Sequence, residues 1–237
     1  MAKQENTLEV DAPAKINLYL RVTGRRADGY HFLATLMQKV SLFDRVLLRR
    51  ISTGIRVHCP GSDLPEDENN LVYRAARLFL RTMAPHLQGQ PGVDITLYKK
   101  IPLAAGLGGG SSDAAAVLLG LNRLFATGCP ESQLLAMGGQ LGADVPLFIV
   151  DWPVAWATGI GDRLHRAIPL AGYRILLVNP GFSVPTAWVY AKFALTAAAK
   201  KINLKNSYDE GAGTEDCSFT LRIIRPVELV NDLEAVS

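Results

Sequence analysis

Apolar residues recur along this chain with two different periods, and the changes of period divide it into strands and helices. Residues 16–22, 46–51 and 93–98 are short runs rich in branched side chains, bounded by polar or glycine segments, and they predict strands. Residues 71–80 place apolar side chains at helical spacing and leave Arg74 and Arg77 on a wet face, which predicts a helix. An acidic, turn-forming stretch at 60–70 leads into it. A second helix is expected to begin at Ser111 or Ser112, whose hydroxyl can cap the free amides, and to run to Phe125. A third is expected over 132–140. Residues 145–150 and 154–157 predict two strands joined by a turn at Asp151, Trp152 and Pro153. Beyond them, 174–178 predicts a buried strand, 186–199 a helix and 200–216 a polar loop. Paired strands and helices without a regular βαβ series favour an α+β class.

With 237 residues, the chain can bury a sizeable core as one large domain or two small ones. A division near residue 155 is expected, giving regions 1–155 and 156–237. The net charge of +3 is small, and the basic residues are dispersed rather than gathered into a stripe, so nucleic acid is not an expected partner. A modest positive excess suits a small anionic ligand. Cys59, Cys129 and Cys217 are far apart and in no metal-binding spacing; reduced thiols and a cytoplasmic location are expected. The N-terminus lacks the basic start and apolar block of a signal peptide, and apolar stretches such as 114–121 are too short to span a bilayer. A soluble protein without a membrane partner follows.

The most informative segment is P-L-A-A-G-L-G-G-G-S-S-D-A-A at 102–115, between a predicted strand and a predicted helix. Glycines let the backbone come close to phosphate oxygens and turn its amides towards them, and the helix behind adds the partial positive charge of its N-terminus. The run fits neither the Walker A pattern nor G-x-G-x-x-G, because Ser111 stands where each requires another residue. Near the start, A-P-A-K-I-N-L at 12–18 sets Lys15 and Asn17 on one face of a strand. G-A-D-V-P-L-F at 142–148 puts Asp144 at the entrance to a strongly apolar run. T-G-R-R-A-D-G-Y-H at 23–31 ends a turn-rich stretch in an aromatic ring and an imidazole.

Together these segments resemble the GHMP kinases. The glycine run resembles that family's second motif, P-x-x-x-G-L-G-x-S-S-x-A-A, with one extra glycine; 12–18 resembles its N-terminal motif, and 142–148 the segment that holds its catalytic aspartate. The resemblance implies an N-terminal domain like ribosomal protein S5 domain 2, followed by a ferredoxin-like domain. It implies that Lys15 and Asp144 are the catalytic pair, with Asp144 accepting the proton of a substrate hydroxyl and Lys15 offsetting negative charge. ATP would be cradled by Pro102, Gly106, Leu107, Gly108, Gly109, Gly110, Ser111 and Ser112, and Mg²⁺ would accompany it with no assigned ligands. Asn70, Leu71 and Lys99 match positions implied to line the adenine pocket; helix capping by Asn70 and a solvated Lys99 are the competing readings.

R-A-D-G-Y-H at 26–31 resembles the mark of family members that act on a small cytidine diphosphate-linked alcohol in non-mevalonate isoprenoid synthesis. By that resemblance Tyr30 and His31 contact the cytidine ring, Asn17 faces the substrate, and Thr186 and Tyr190 close the far side. The glycine turn at 157–162 is read as structural. N-D-L-E at 231–234 resembles a late family element, after which the family carries a third motif, G-T-G-x-[SA]-x-x-F, that this chain lacks. An incomplete C-terminal domain is therefore expected, in a monomer or homodimer. Two other readings stay open: nucleotide binding without turnover, and a GHMP kinase for another small alcohol.

Overall fold

The computed structural model describes residues 6–25, 27, 31–170, 172–179, 181, 188, 189, 192 and 231–233. Among them the elements run β1 (Thr7–Arg25), β2 (His31–Ile51), β3 (Ile55–His58), α1 (Leu71–Met83), a 3₁₀ turn (Ala84–His86), β4 (Gly92–Tyr98), α2 (Gly109–Leu124), α3 (Glu131–Leu141), α4 (Val145–Ile149), β5 (Val154–Thr158) and β6 (Arg163–Arg166). This is an α+β arrangement. The backbone groups into two compact units: Met1–Ile16, Lys39–Leu103 and Leu107–Trp152 form the first, and Asn17–Gln38, Ala104–Gly106 and Pro153–Ser237 the second. The division runs through β1 and β2 instead of falling at one point in the chain.

In the first unit, β4 pairs antiparallel with the later part of β2, with Val46 opposite Leu97 and Leu48 opposite Ile95. β3 joins β4 in parallel. Alternation decides the faces: Val46 and Leu48 are fully buried while Arg45 and Arg49 point to solvent. The buried side includes Phe79, Leu118, Leu121, Met137 and Leu147, and side chains of this size each stabilise by roughly 1.5–3 kcal/mol on leaving water. α1 buries Val72, Ala75, Ala76, Phe79 and Met83, the one-sided stripe its spacing predicts. α2 is buried on nearly every side. Gly120 lets it lie close against the sheet: a β-carbon there would collide with Leu48 and press on Val10.

In the second unit, β5 pairs antiparallel with the early part of β2 and with β6. Asn231 bridges to Leu20 of β1, and Asp232 accepts from the amide of Val22 at 3.0 Å. The N-D-L segment is thereby tied to β1.

Several expectations need correction. Residues 145–150 form the short helix α4 where a strand was predicted; an all-apolar run carries no period to separate the two, and Pro146 in the first turn favours the helix. α2 begins at Gly109, before either serine, and its N-cap is Gly108 in the left-handed region (φ 71°) with no side-chain cap bond. Residues 174–178 are not a buried strand: they are exposed, Leu176 at 87%, and pair with no strand among the described residues. β1 and β2 are far longer than 16–22 and 46–51, and β3 and β6 were not foreseen. Cys59 and Cys129 are buried free thiols. Cys217, the 200–216 loop and most of the expected 186–199 helix lie outside the described residues; Trp188, Val189 and Lys192, the residues of that stretch that are described, are helical.

Candidate active site

The first unit brings the lysine of the N-terminal motif to the aspartate of the 142–148 segment. Lys15 sits in β1 with its side chain almost wholly buried, and its Nζ lies 3.6 Å from Asp144 Oδ2. Asp144 precedes α4 at the N-cap position, yet its carboxylate makes no cap hydrogen bond. About a third of that side chain stays exposed, so a solute can reach it. At the far end of α4, Lys39 Nζ donates to the carbonyl of Val150 at 2.7 Å, a cation on the electron-rich end of the helix. Burial lowers the Lys39 pKa, and Asp151 acts against that.

The glycine run lies against the same lysine. A β-carbon on Gly108 would stand 3.0 Å from Lys15 Cγ, 3.0 Å from Phe148 Cζ and 3.2 Å from Lys15 Cε, so at this closeness only glycine leaves Lys15 its place. Gly106 is also left-handed. The loop from Leu103 to Gly106 is exposed, and the first turn of α2 begins without a side-chain cap, which leaves its amides available to an anion. The hydroxyl of Ser112 is buried without a hydrogen-bond partner among the described residues. Ser111, half-buried, keeps its Oγ 3.9 Å from where a β-carbon on Gly142 would be, next to the segment that carries Asp144.

Of the residues read as lining an adenine pocket, Asn70 is the N-cap of α1. Its Oδ1 accepts from the Val72 amide at 3.0 Å, and its Nδ2 donates to the Pro65 carbonyl at 2.7 Å and reaches Cys59 Sγ at 3.5 Å. Leu71 is half-buried at the start of α1. Lys99 is not the solvated lysine of the competing reading: it is buried between Asp44 and Asp113, 2.8 Å from Asp113 Oδ2 and in contact with Asp44 Oδ2. Sequence reasoning passed over both aspartates. Their signal was an acidic residue set inside an apolar run, S-L-F-D-R-V-L-L in one case and the alanine-rich start of α2 in the other.

The second unit holds Asn17, whose Oδ1 lies 3.3 Å from the Thr35 hydroxyl; that hydroxyl also lies 2.7 Å from the Tyr19 carbonyl. The Tyr19 and Trp156 rings stand 5.4 Å apart. His31 opens β2, half-buried, with its pKa lowered by burial and then by Arg25. Tyr30, Thr186 and Tyr190 lie outside the described residues. Among those described, no helix is long and apolar enough to cross a membrane.

Known proteins bear on this geometry. The model of the GHMP kinases N terminal domain matches residues 70–151. The chain is 46% identical over 231 residues to 4-diphosphocytidyl-2-C-methyl-D-erythritol kinase of Syntrophus aciditrophicus, covering 97% of this chain and 77% of that protein. It is 49% identical over 229 residues to the protein of the same name from Syntrophotalea carbinolica, covering 95% and 75%. A crystal structure of 4-(cytidine 5'-diphospho)-2C-methyl-D-erythritol kinase superposes with a TM-score of 0.62 at 42% identity, over 78% of this chain and 64% of that one. Homoserine kinase from Cytophaga hutchinsonii, at 18% identity and a TM-score of 0.55 over 84% and 68% of the two chains, shares the fold.

Proposed function

The chain belongs to the GHMP kinase family, and on that footing we propose that it transfers the γ-phosphate of ATP to the 2-hydroxyl of 4-diphosphocytidyl-2-C-methyl-D-erythritol. The observation that carries the chemistry is the 3.6 Å approach of Lys15 to Asp144 beside Gly108. Asp144 takes the proton of the attacking hydroxyl, a bond forms from that oxygen to the γ-phosphorus, and the bond to the β-phosphate oxygen breaks to release ADP. The Lys15 ammonium offsets the charge that builds on the phosphoryl oxygens. Amides of the glycine run and the N-terminus of α2 hold the phosphates, with Ser111 and Ser112 as hydroxyl donors.

The choice of acceptor rests on the 26–31 motif and the names of the relatives. In this reading Tyr30 and His31 meet the cytosine, Asn17 the erythritol side, and Thr186 and Tyr190 the far side of the base. Adenine lies by Leu71 and the backbone at Asn70, whose side chain is already engaged in capping. Mg²⁺ enters with the triphosphate and lowers its charge. Among the described residues no group of three or more His, Cys, Asp or Glu is placed to hold a metal, and no protein ligand is assigned. The proposal includes a cytoplasmic monomer or homodimer acting on a small molecule, without nucleic acid.

The test is ADP release with Mg²⁺ and ATP over a panel of alcohols, with the product read by phosphorus NMR. A new phosphomonoester with the cytidyl substrate, and none with homoserine or mevalonate, is expected. ATP binding with no phosphorylated product from any alcohol overturns the reading.

A further inference from the structure

Between the end of β4 and the start of α2 lies a buried group of three charges that the phosphoryl-transfer scheme does not use. Asp44 of β2 is fully buried; it touches the Lys99 ammonium and accepts from the amides of Lys100 at 2.5 Å and Ile101 at 2.8 Å. Asp113, on α2, accepts from the same ammonium at 2.8 Å, and its carboxyl lies within hydrogen-bond reach of Asp44's. Lys99 in turn stands under the start of α2: a β-carbon on Gly109 would lie 3.1 Å from its Nζ and 3.1 Å from Ile101 Cγ2. The amine thus joins the segment entering the glycine loop to the helix leaving it.

Two carboxylates share one ammonium in a place water does not reach, so with both ionised the group carries an uncompensated negative charge. Burying such a charge is expensive, and a protonated carboxyl is the usual relief. Burial pushes the Asp113 pKa up to about 7, Lys99 acting against the rise and Asp44 adding to it. Asp113 Oδ1 is buried without a partner among the described residues. The charged groups acting on Asp113 are Lys99 and Asp44; the Cys59 thiol, at the end of β3, feels both Asp113 and Lys99, and Glu66 acts on that thiol from its own loop. Among the described residues of α1, α3 and α4, no ionisable group adds to this set.

We propose that Asp113 is a positioning residue for the phosphate loop: its ionised carboxylate holds the Lys99 ammonium against Gly109 and so fixes the first turn of α2 in the form that receives a triphosphate. The Lys99 ammonium then serves the nucleotide through the loop. This rests on the kinase reading above for the identity of the ligand, while the claim about the loop stands on its own geometry.

The experiment compares the full chain with Asp113→Asn, which keeps the side chain's shape and an acceptor for Lys99 but cannot ionise. Hydrogen exchange of the peptide spanning 103–113 is followed at about pH 6 and about pH 8, beside calorimetric titration with a non-hydrolysable ATP analogue. At about pH 8 exchange is expected to be roughly tenfold faster in the variant and its analogue affinity roughly tenfold weaker; at about pH 6, with the native group largely protonated, the two proteins should coincide. Equal protection at both pH values overturns the proposal, as does a difference that is the same at both, since a purely structural defect has no reason to follow this ionisation. Failure of the native chain to bind the analogue would count against the kinase reading alone, and the exchange comparison would still decide the role of Asp113.

Discussion

The backbone amide of Lys15 donates to the carbonyl of Leu107 at 2.9 Å, so the strand that carries this lysine is hydrogen-bonded to the glycine run itself. The same lysine reaches Asp144 with its amine and packs its stem against Gly108. Displacement of the loop is therefore passed directly to the ammonium.

Gly108 is the position most sensitive to that coupling. Ala there would occupy a left-handed conformation, which costs about 1–2 kcal/mol, and would press its methyl on Lys15 and Phe148. Gly108→Ala is expected to lower the melting temperature by a few degrees and to cut turnover by about a hundredfold, because the pair is moved as well as strained. Steady-state kinetics on protein shown to be folded by circular dichroism checks this; turnover within threefold of native would place the lysine stem elsewhere in the working enzyme.

Asp144→Asn tests the proposal that Asp144 is the proton acceptor. The amide keeps the shape of the carboxylate, and the glycine run is untouched. Turnover should fall by at least about a thousandfold while affinity for ATP changes by less than about threefold. Near-normal turnover assigns the base to another group.

The legible parts of this molecule were those where residue type and period agree. The α1 stripe, the alternation of β4 and the glycine run could all be placed because one face is apolar or because glycine is required. Residues 145–150 misled for the opposite reason: every position is apolar, so nothing in the pattern separates strand from helix. The start of α2 was misplaced because a hydroxyl cap is the commoner device, and here left-handed Gly108 takes the cap position. Lys99 is the clearest loss. Its burial depends on Asp44, 55 residues away, and on Asp113, 14 residues away, and no local rule reveals that three such residues meet.

Asn70 makes a prediction about stability that is separate from any role near adenine. Asn70→Ala removes the cap of α1 and strands the Pro65 carbonyl and the Val72 amide, which should cost about 1–2 kcal/mol in denaturant unfolding. Asn70→Asp keeps the acceptor for Val72 but loses the donor to Pro65, and should recover part of that cost. If both variants unfold at the native midpoint, the cap contributes nothing to the fold.

Asp113 links stability to pH in a direction opposite to that of most paired carboxylates. Its pKa is raised in the fold, from an ordinary 3.8 to about 7, so between those values the folded protein binds more protons at this site than the unfolded chain does. Unfolding free energy must then fall as pH rises through that window and level off above it. Other carboxylates respond to the same pH change, so the measurement is the difference between native protein and Asp113→Asn, by thermal or urea unfolding at matched pH. The variant should gain on the native protein by about 1–3 kcal/mol between about pH 4 and about pH 8. Combined with the exchange experiment this gives a signature that simple loss of packing cannot imitate: from about pH 4 to about pH 8 the variant should gain global stability relative to the native protein and yet become the looser of the two at the start of α2. A stability difference that stays flat across the window would show that Asp113 ionises as an ordinary carboxylate, and the charge group around Lys99 would then have to be redrawn.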